Sequence, residues 1–229
     1  MAKTQPLELV VGLGNPGPEH ARDRHNAGFW MLDRLAEEAG ATFRNEHRFN
    51  ADLARMPSGV RLLKPLTYMN NSGEAVAACA RYFRVATEAI VVVHDELDLA
   101  AGVVRLKVGG GHGGHNGLRS IDQHLGDSGY ARARIGIGRP QHRGAVTSHV
   151  LGRPQEQEAE LIDAAIEQLV GQMKALERGD FANFSLARIR TSCVRTCEPS
   201  TDCADCHDSL ISNRTGPIRS RLPGGRRTM

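Results

Sequence analysis

Six glycines fall within the nine residues Gly109 to Gly117, with His112, His115 and Asn116 between them. Glycine loses more backbone freedom on folding than any other residue. A run this dense persists where the chain must turn sharply or approach another molecule closely. A plain linker would draw on serine rather than on histidine and asparagine. The run follows a strand-like segment, Val103 to Val108, and precedes a helix-like one, Leu118 to Leu125. A strand, a glycine loop and a helix start in that order present free N–H groups, with His115 and Asn116 at the rim. Local charge agrees: Ala101 to Arg143 holds seven Lys/Arg and two acids, a band suited to phosphate.

The net charge of +3 hides two different regions. From Arg188 onward there are eight arginines and four acids, whereas the rest of the chain is nearly neutral. After about Ile189 helical and strand periodicity stop, and Ser, Thr, Arg, Gly and Pro dominate. The 229 residues therefore divide into one domain, residues 1–189, and a Cys/Arg-rich tail, residues 190–229, expected to be disordered. In the tail Cys193, Cys197, Cys203 and Cys206, beside His207, raise the question of zinc. Their spacing is loose and the central loop is short for a folded zinc module, so free thiols are expected and no metal. The apolar runs are too short to span a bilayer, and Met1 to Pro6 is too polar for a signal peptide, which points to the cytoplasm.

Along the domain, strand-like and helix-like pieces alternate. Leu7 to Val11 reads as a buried strand running into the rigid turn Gly12 to Pro18. Gly12 to Gly17 also spells the dinucleotide fingerprint, but Pro16 and Pro18 delay any helix, and the polar stretch Ala41 to Asn50 offers no buried parallel strand. A helix from near Asn26 repeats Phe29, Leu32, Leu35 and Ala39 on one face and closes at Gly40. His25 stands at its start, where the positive helix end favours a neutral, proton-accepting imidazole.

Ala51 to Met56 and Val60 to Lys64 form a hairpin turning at Pro57-Ser58-Gly59. Ser72 is expected to cap a helix over Glu74 to Phe83, with Ala75, Cys79, Tyr82 and Phe83 inward. Ala89 to Val93 is the most apolar segment and reads as a central strand. Asp95 follows it, and Asn15 follows another such strand, both at the carboxyl edge where open α/β sheets place their sites. His94, Asp95, Glu96 and Asp98 do not have the spacing of a strong metal motif. Arg132 to Ile137 alternates basic and apolar residues, as a strand with one wet face would, and Ile162 to Leu176 makes a long amphipathic helix ending at Gly179. These pieces give a three-layer α/β domain with polar loops gathered on one sheet edge.

Six motifs together resemble the bacterial peptidyl-tRNA hydrolases: Val11-Gly12-Leu13-Gly14-Asn15-Pro16-Gly17, Arg24-His25-Asn26-Ala27-Gly28, Thr67-Tyr68-Met69-Asn70, His94-Asp95-Glu96-Leu97-Asp98-Leu99, the glycine loop through Asn116-Gly117, and Arg134-Ile135-Gly136-Ile137-Gly138. The match covers about residues 7–189. The resemblance implies a single α/β domain with a central mixed sheet flanked by helices, usually monomeric. It implies cleavage of the ester joining a peptide to tRNA, with peptidyl-tRNA as partner, no cofactor and no metal.

By the same resemblance, His25 is the general base and Asp95 its orienting carboxylate. Asn70 and Asn116 offer amide N–H groups, and Asn15 recognises an acylated α-amino group by accepting from its N–H. Tyr68 meets the tRNA 3′ end, and Lys107 and Arg134 lie near its 5′ phosphate. His20 stands where the family has tyrosine, Ala100-Ala101 stands where it has two prolines, and the tail has no counterpart. A non-catalytic RNA-binding relative of the same fold is the alternative. The presence of His25, Asp95 and the three asparagines argues against it.

Overall fold

The computed structural model describes residues 6–177. The tail, residues 190–229, and the helix stop at Gly179 lie outside them. In chain order the described elements are β1 (Leu9–Gly12), α1 (Ala27–Ala39), β2 (Arg44–Glu46), β3 (Ala51–Arg55), β4 (Arg61–Pro65), α2 (Ser72–Phe83), β5 (Ile90–Glu96), β6 (Val104–Val108), α3 (Asn116–Leu125), β7 (Ala131–Gly136), α4 (Val146–Val150) and α5 (Glu156–Glu177). The strands form one sheet in the order β2-β3-β4-β1-β5-β7-β6. Strands β1, β4, β5 and β7 are parallel, whereas the pairs β2–β3, β3–β4 and β6–β7 are antiparallel. The sheet is mixed, as expected. None of the described helices is long and apolar enough to cross a membrane.

Strand β5 lies between β1 and β7 and is covered on both sides, which explains its unbroken apolar run. Val91 and Val93 pack with Met31 and Leu35 of α1 and with Ile166 and Leu169 of α5. Ile90 and Val92 pack with Val76 and Cys79 of α2 and with Leu118 and Ile121 of α3. That makes three layers. The layer of α1 lies very close to the sheet: a Cβ at Gly12 would come within 2.5 Å of the Gly28 carbonyl oxygen, and one at Gly28 within 2.5 Å of Leu13 N. Two glycines facing each other are what permit this approach.

Three details depart from the expectations. Arg132 does not stand on a wet face. It is 2% exposed: the guanidinium donates to the carbonyls of Gly110 and Gly111 and lies 4.7 Å from the centre of the Tyr130 ring. Ser72 is the first residue of α2 rather than its cap, and its hydroxyl donates to Met69 O at 3.0 Å. Tyr82 points outward at 55% exposure. The polar stretch after α1 holds no buried parallel strand, as expected; its β2 is an exposed, antiparallel edge strand.

The glycine loop also runs differently. Because β6 is antiparallel to β7, with Val108 opposite Ala131, it ends beside the start of β7. The loop must then travel back toward the other end of the sheet to reach α3. Gly109, Gly110, Gly113 and Gly114 all have positive φ, which other residues adopt only under strain.

Candidate active site

The C-terminal ends of β1, β4 and β5 emerge at one sheet edge, because these strands are parallel. They deliver Asn15, the Tyr68–Asn70 turn and Asp95. The start of α1 adds His25, and the glycine loop adds His115 and Asn116. Together they line a cleft of about 510 Å³ whose opposite wall is Val146, Thr147, Val150 and Leu151.

At its floor Asp95, 2% exposed, accepts from two imidazoles through the same oxygen. His25 Nδ1 is 2.8 Å from Asp95 Oδ1, and His115 Nε2 is 3.1 Å from it. His115 is held from the other side as well. Its Nδ1 accepts from Gly117 N at 3.2 Å and Leu118 N at 3.4 Å, so it is the N-cap of α3. Its hydrogen must therefore be on Nε2, facing Asp95. With His25 Nδ1–H donating to the carboxylate, His25 Nε2 keeps a lone pair. Free N–H groups were expected at this helix start; those of Gly117 and Leu118 are taken by His115.

Burial lowers the pKa of His25, but the Asp95 charge and hydrogen bond outweigh it, with Asp23 adding, and the result is a pKa above the ordinary 6.5. The expected depression by the helix end is overturned by these carboxylates. Burial works to raise the pKa of Asp95, yet His25 and His115 hold it well below the usual carboxylate range. His94, beneath them, is driven down to about 3 by burial and by His115, so it is neutral. It bonds through Nδ1 to Asp95 O at 2.7 Å, and its ring packs edge-on to His115 at 4.9 Å. One donor atom each from His25, Asp95 and His115 lies within 4.8 Å of the others, a set that resembles a metal trio. Both nitrogens are directed at one carboxylate oxygen at hydrogen-bond distance, however, so the atoms converge on each other rather than on an ion.

Asn15 is fixed from three sides. Its N–H donates to Asn26 Oδ1 at 2.9 Å, its carbonyl accepts from Asn26 Nδ2 at 2.9 Å, and its Oδ1 accepts from Met69 N at 2.8 Å. The oxygen keeps a second lone pair, and the side-chain NH₂ makes no hydrogen bond among the described residues, so both an acceptor and a donor remain for a ligand.

Asn70 and Asn116 are exposed on the cleft wall, and Tyr68 is 63% exposed at the rim. His20, Lys107 and Arg134 are not part of the wall. His20 Nδ1 bonds Asp23 at 2.7 Å, and Arg134 Nε donates to Glu96 at 2.9 Å. Lys107 is exposed on β6 opposite Arg132, and Arg105 lies opposite Arg134.

Sequence reasoning gave no role to His115, Asn26 or Arg24. Arg24, 7% exposed, donates to the carbonyls of His149 and Gly152 at 3.1 and 3.2 Å and pairs with Glu158 at 2.5 Å. It ties the turn that carries His25 to α4, to the turn after it and to the start of α5. A signal for His115 was present, since a histidine just before a helix-like run is a capping position. Its bond to Asp95, twenty residues away, was not visible.

The peptidyl-tRNA hydrolase family profile matches residues 9–193. The chain is 52% identical to a peptidyl-tRNA hydrolase of Alkalilimnicola ehrlichii over 181 residues, 77% of this chain and 92% of that one. It is 48% identical to a peptidyl-tRNA hydrolase of Acinetobacter baumannii over 176 residues, 76% of this chain and 91% of that one. The crystal structure of peptidyl-tRNA hydrolase from Acinetobacter baumannii is similar at TM-score 0.76 and 46% identity, covering 78% of this chain and 92% of that one. With the family profile matched over most of the chain, and the fold and about half of all aligned residues in common, the chain belongs to the peptidyl-tRNA hydrolase family.

Proposed function

We propose that the chain hydrolyses the ester joining a peptide to the ribose of tRNA, with His25 Nε2 as the base that activates water. The observation that carries this is the 2.8 Å contact between His25 Nδ1 and the buried Asp95 carboxylate, which leaves Nε2 with its lone pair beside Asn15, Asn70 and Asn116. Water attacks the ester carbonyl as its proton passes to Nε2. Asp95 stabilises the imidazolium that forms. The amide groups of Asn70 and Asn116 donate to the oxyanion. The carbon–oxygen bond to the ribose then breaks, and the imidazolium returns its proton to the leaving hydroxyl.

Asn15 selects for a blocked amino end. Its Oδ1, through its second lone pair, accepts from the N–H of the acylated amino group, and its NH₂ donates to the carbonyl oxygen of the acyl group. A free α-ammonium brings donors only and leaves that NH₂ without a partner. Tyr68 provides an aromatic face for the unpaired 3′ end of the tRNA. Lys107, Arg134 and His20, outside the cleft, contact the tRNA backbone, and His20 does so less strongly than the family's tyrosine. The protein works as a cytoplasmic monomer without a cofactor or metal.

The test is release of N-acetyl-amino acid from N-acetyl-aminoacyl-tRNA by the full chain in the presence of a chelator. Turnover of the blocked substrate with the unblocked aminoacyl-tRNA left intact is expected. Retained tRNA binding with no turnover would instead identify a non-catalytic RNA-binding relative.

A further inference from the structure

At the far end of the sheet from the cleft is a second pocket, of about 470 Å³, whose walls include Arg44, Arg55, Arg61 and Phe83. Arg55 ends β3 and Arg61 begins β4, and the two are directly opposite each other in the antiparallel register. Arg44 is opposite Leu53, two residues before Arg55, so all three arginines share one sheet face. No Asp or Glu lines the pocket. None of the ion pairs among the described residues involves these arginines.

Like charges at directly opposed strand positions repel, and a fold keeps them at a stability penalty unless something neutralises them. Arginines elsewhere in the molecule show the contrast: Arg24, Arg34, Arg134 and Arg139 each have a carboxylate at 2.9 Å or less. The Arg61 guanidinium is 4.0 Å from the centre of the Phe83 ring. Stacking holds its plane and leaves its N–H edge for an acceptor. Three arginines lining one concavity supply donors that match the oxygens of a phosphate group, which arginine binds in paired, charge-assisted hydrogen bonds. The pocket is larger than one phosphate and accommodates a di- or triphosphate.

We infer that this pocket is a phosphate-binding site separate from the catalytic cleft, fitted to a compact polyphosphate such as that of a nucleotide. The inference does not depend on the catalytic roles assigned above. It is tested on the full chain by calorimetric titration with inorganic pyrophosphate and by Tm with and without it, at matched ionic strength.

Binding that raises Tm is expected, because a ligand held by the folded state alone stabilises it. Arg55→Gln with Arg61→Gln should weaken pyrophosphate binding about tenfold or more through loss of charge-assisted contacts. The same pair should leave hydrolysis of N-acetyl-aminoacyl-tRNA unchanged. Arg55→Gln alone, at an exposed strand end, guards against misfolding of the double variant. Equal binding by the wild type and both variants overturns the inference, as does binding lost on Lys107→Ala instead. Competition distinguishes the source of the phosphate: displacement by ATP marks a free nucleotide, and displacement by a short oligouridylate but not by ATP marks an RNA backbone.

Discussion

Two loops reach the same carboxylate oxygen and hold their imidazoles to different ends. The turn Arg24–Asn26 is anchored by Arg24 and by Asn26, and it presents His25 with one nitrogen on Asp95 and the other uncommitted. The glycine loop presents His115 with both nitrogens engaged, one by Asp95 and one by the amides of α3. Equal proximity to a carboxylate therefore does not make two bases. Only the ring whose far nitrogen is unoccupied can exchange a proton with water. The other fixes the carboxylate and the end of a helix.

The sharpest way to break this contrast is His25→Ala. Loss of a general base should lower kcat by about 10²–10⁴-fold, read on N-acetyl-aminoacyl-tRNA, with little change in Tm. A variant retaining near-normal turnover would move the proton chemistry elsewhere, His115 first.

The pH profile sharpens the comparison. A base at His25 acts only when neutral, and the pKa of His25 is raised, so the acidic limb of kcat/KM should have its midpoint above 6.5. The rate falls as pH drops through that midpoint. Asp95→Asn removes the main cause of the rise and leaves burial, so the limb should move to lower pH while the maximal rate falls. A limb that stays in place would disconnect Asp95 from His25.

The smallest effect is expected at His115. His115→Ala removes an N-cap, which costs about 1 kcal/mol of stability, and should reduce kcat less than His25→Ala does. His115→Asn, which can still cap α3, should recover most of the Tm but not the bond to Asp95. Urea unfolding of both variants, alongside their kinetics, separates the two functions of this ring.

Much of this fold can be read from local pattern. The unbroken run Ile90 to Val93 marks a strand covered on both faces, and Gly40, at φ 64°, marks the end of α1. Strand direction cannot be read this way. Val104 to Val108 has the same periodicity whether it lies parallel or antiparallel to its neighbour, so the return path of the glycine loop was not visible. Arg132 shows the same limit: an arginine in a strand reads as wet until the carbonyls of Gly110 and Gly111 are placed against it. At the site, His25 and Asp95 were legible through their motifs. The His115 bond depends on a contact between segments that no spacing rule connects.

The bracing of Asn15 has a consequence for how such an enzyme can change. Asn15, proposed to judge the amino end of the substrate, is fastened to Asn26, the immediate neighbour of His25, and to the amide of Met69, the immediate neighbour of Asn70. Choosiness and speed are thus mounted on a single bracket. A lineage that relaxes one by altering Asn26 disturbs the other in the same stroke.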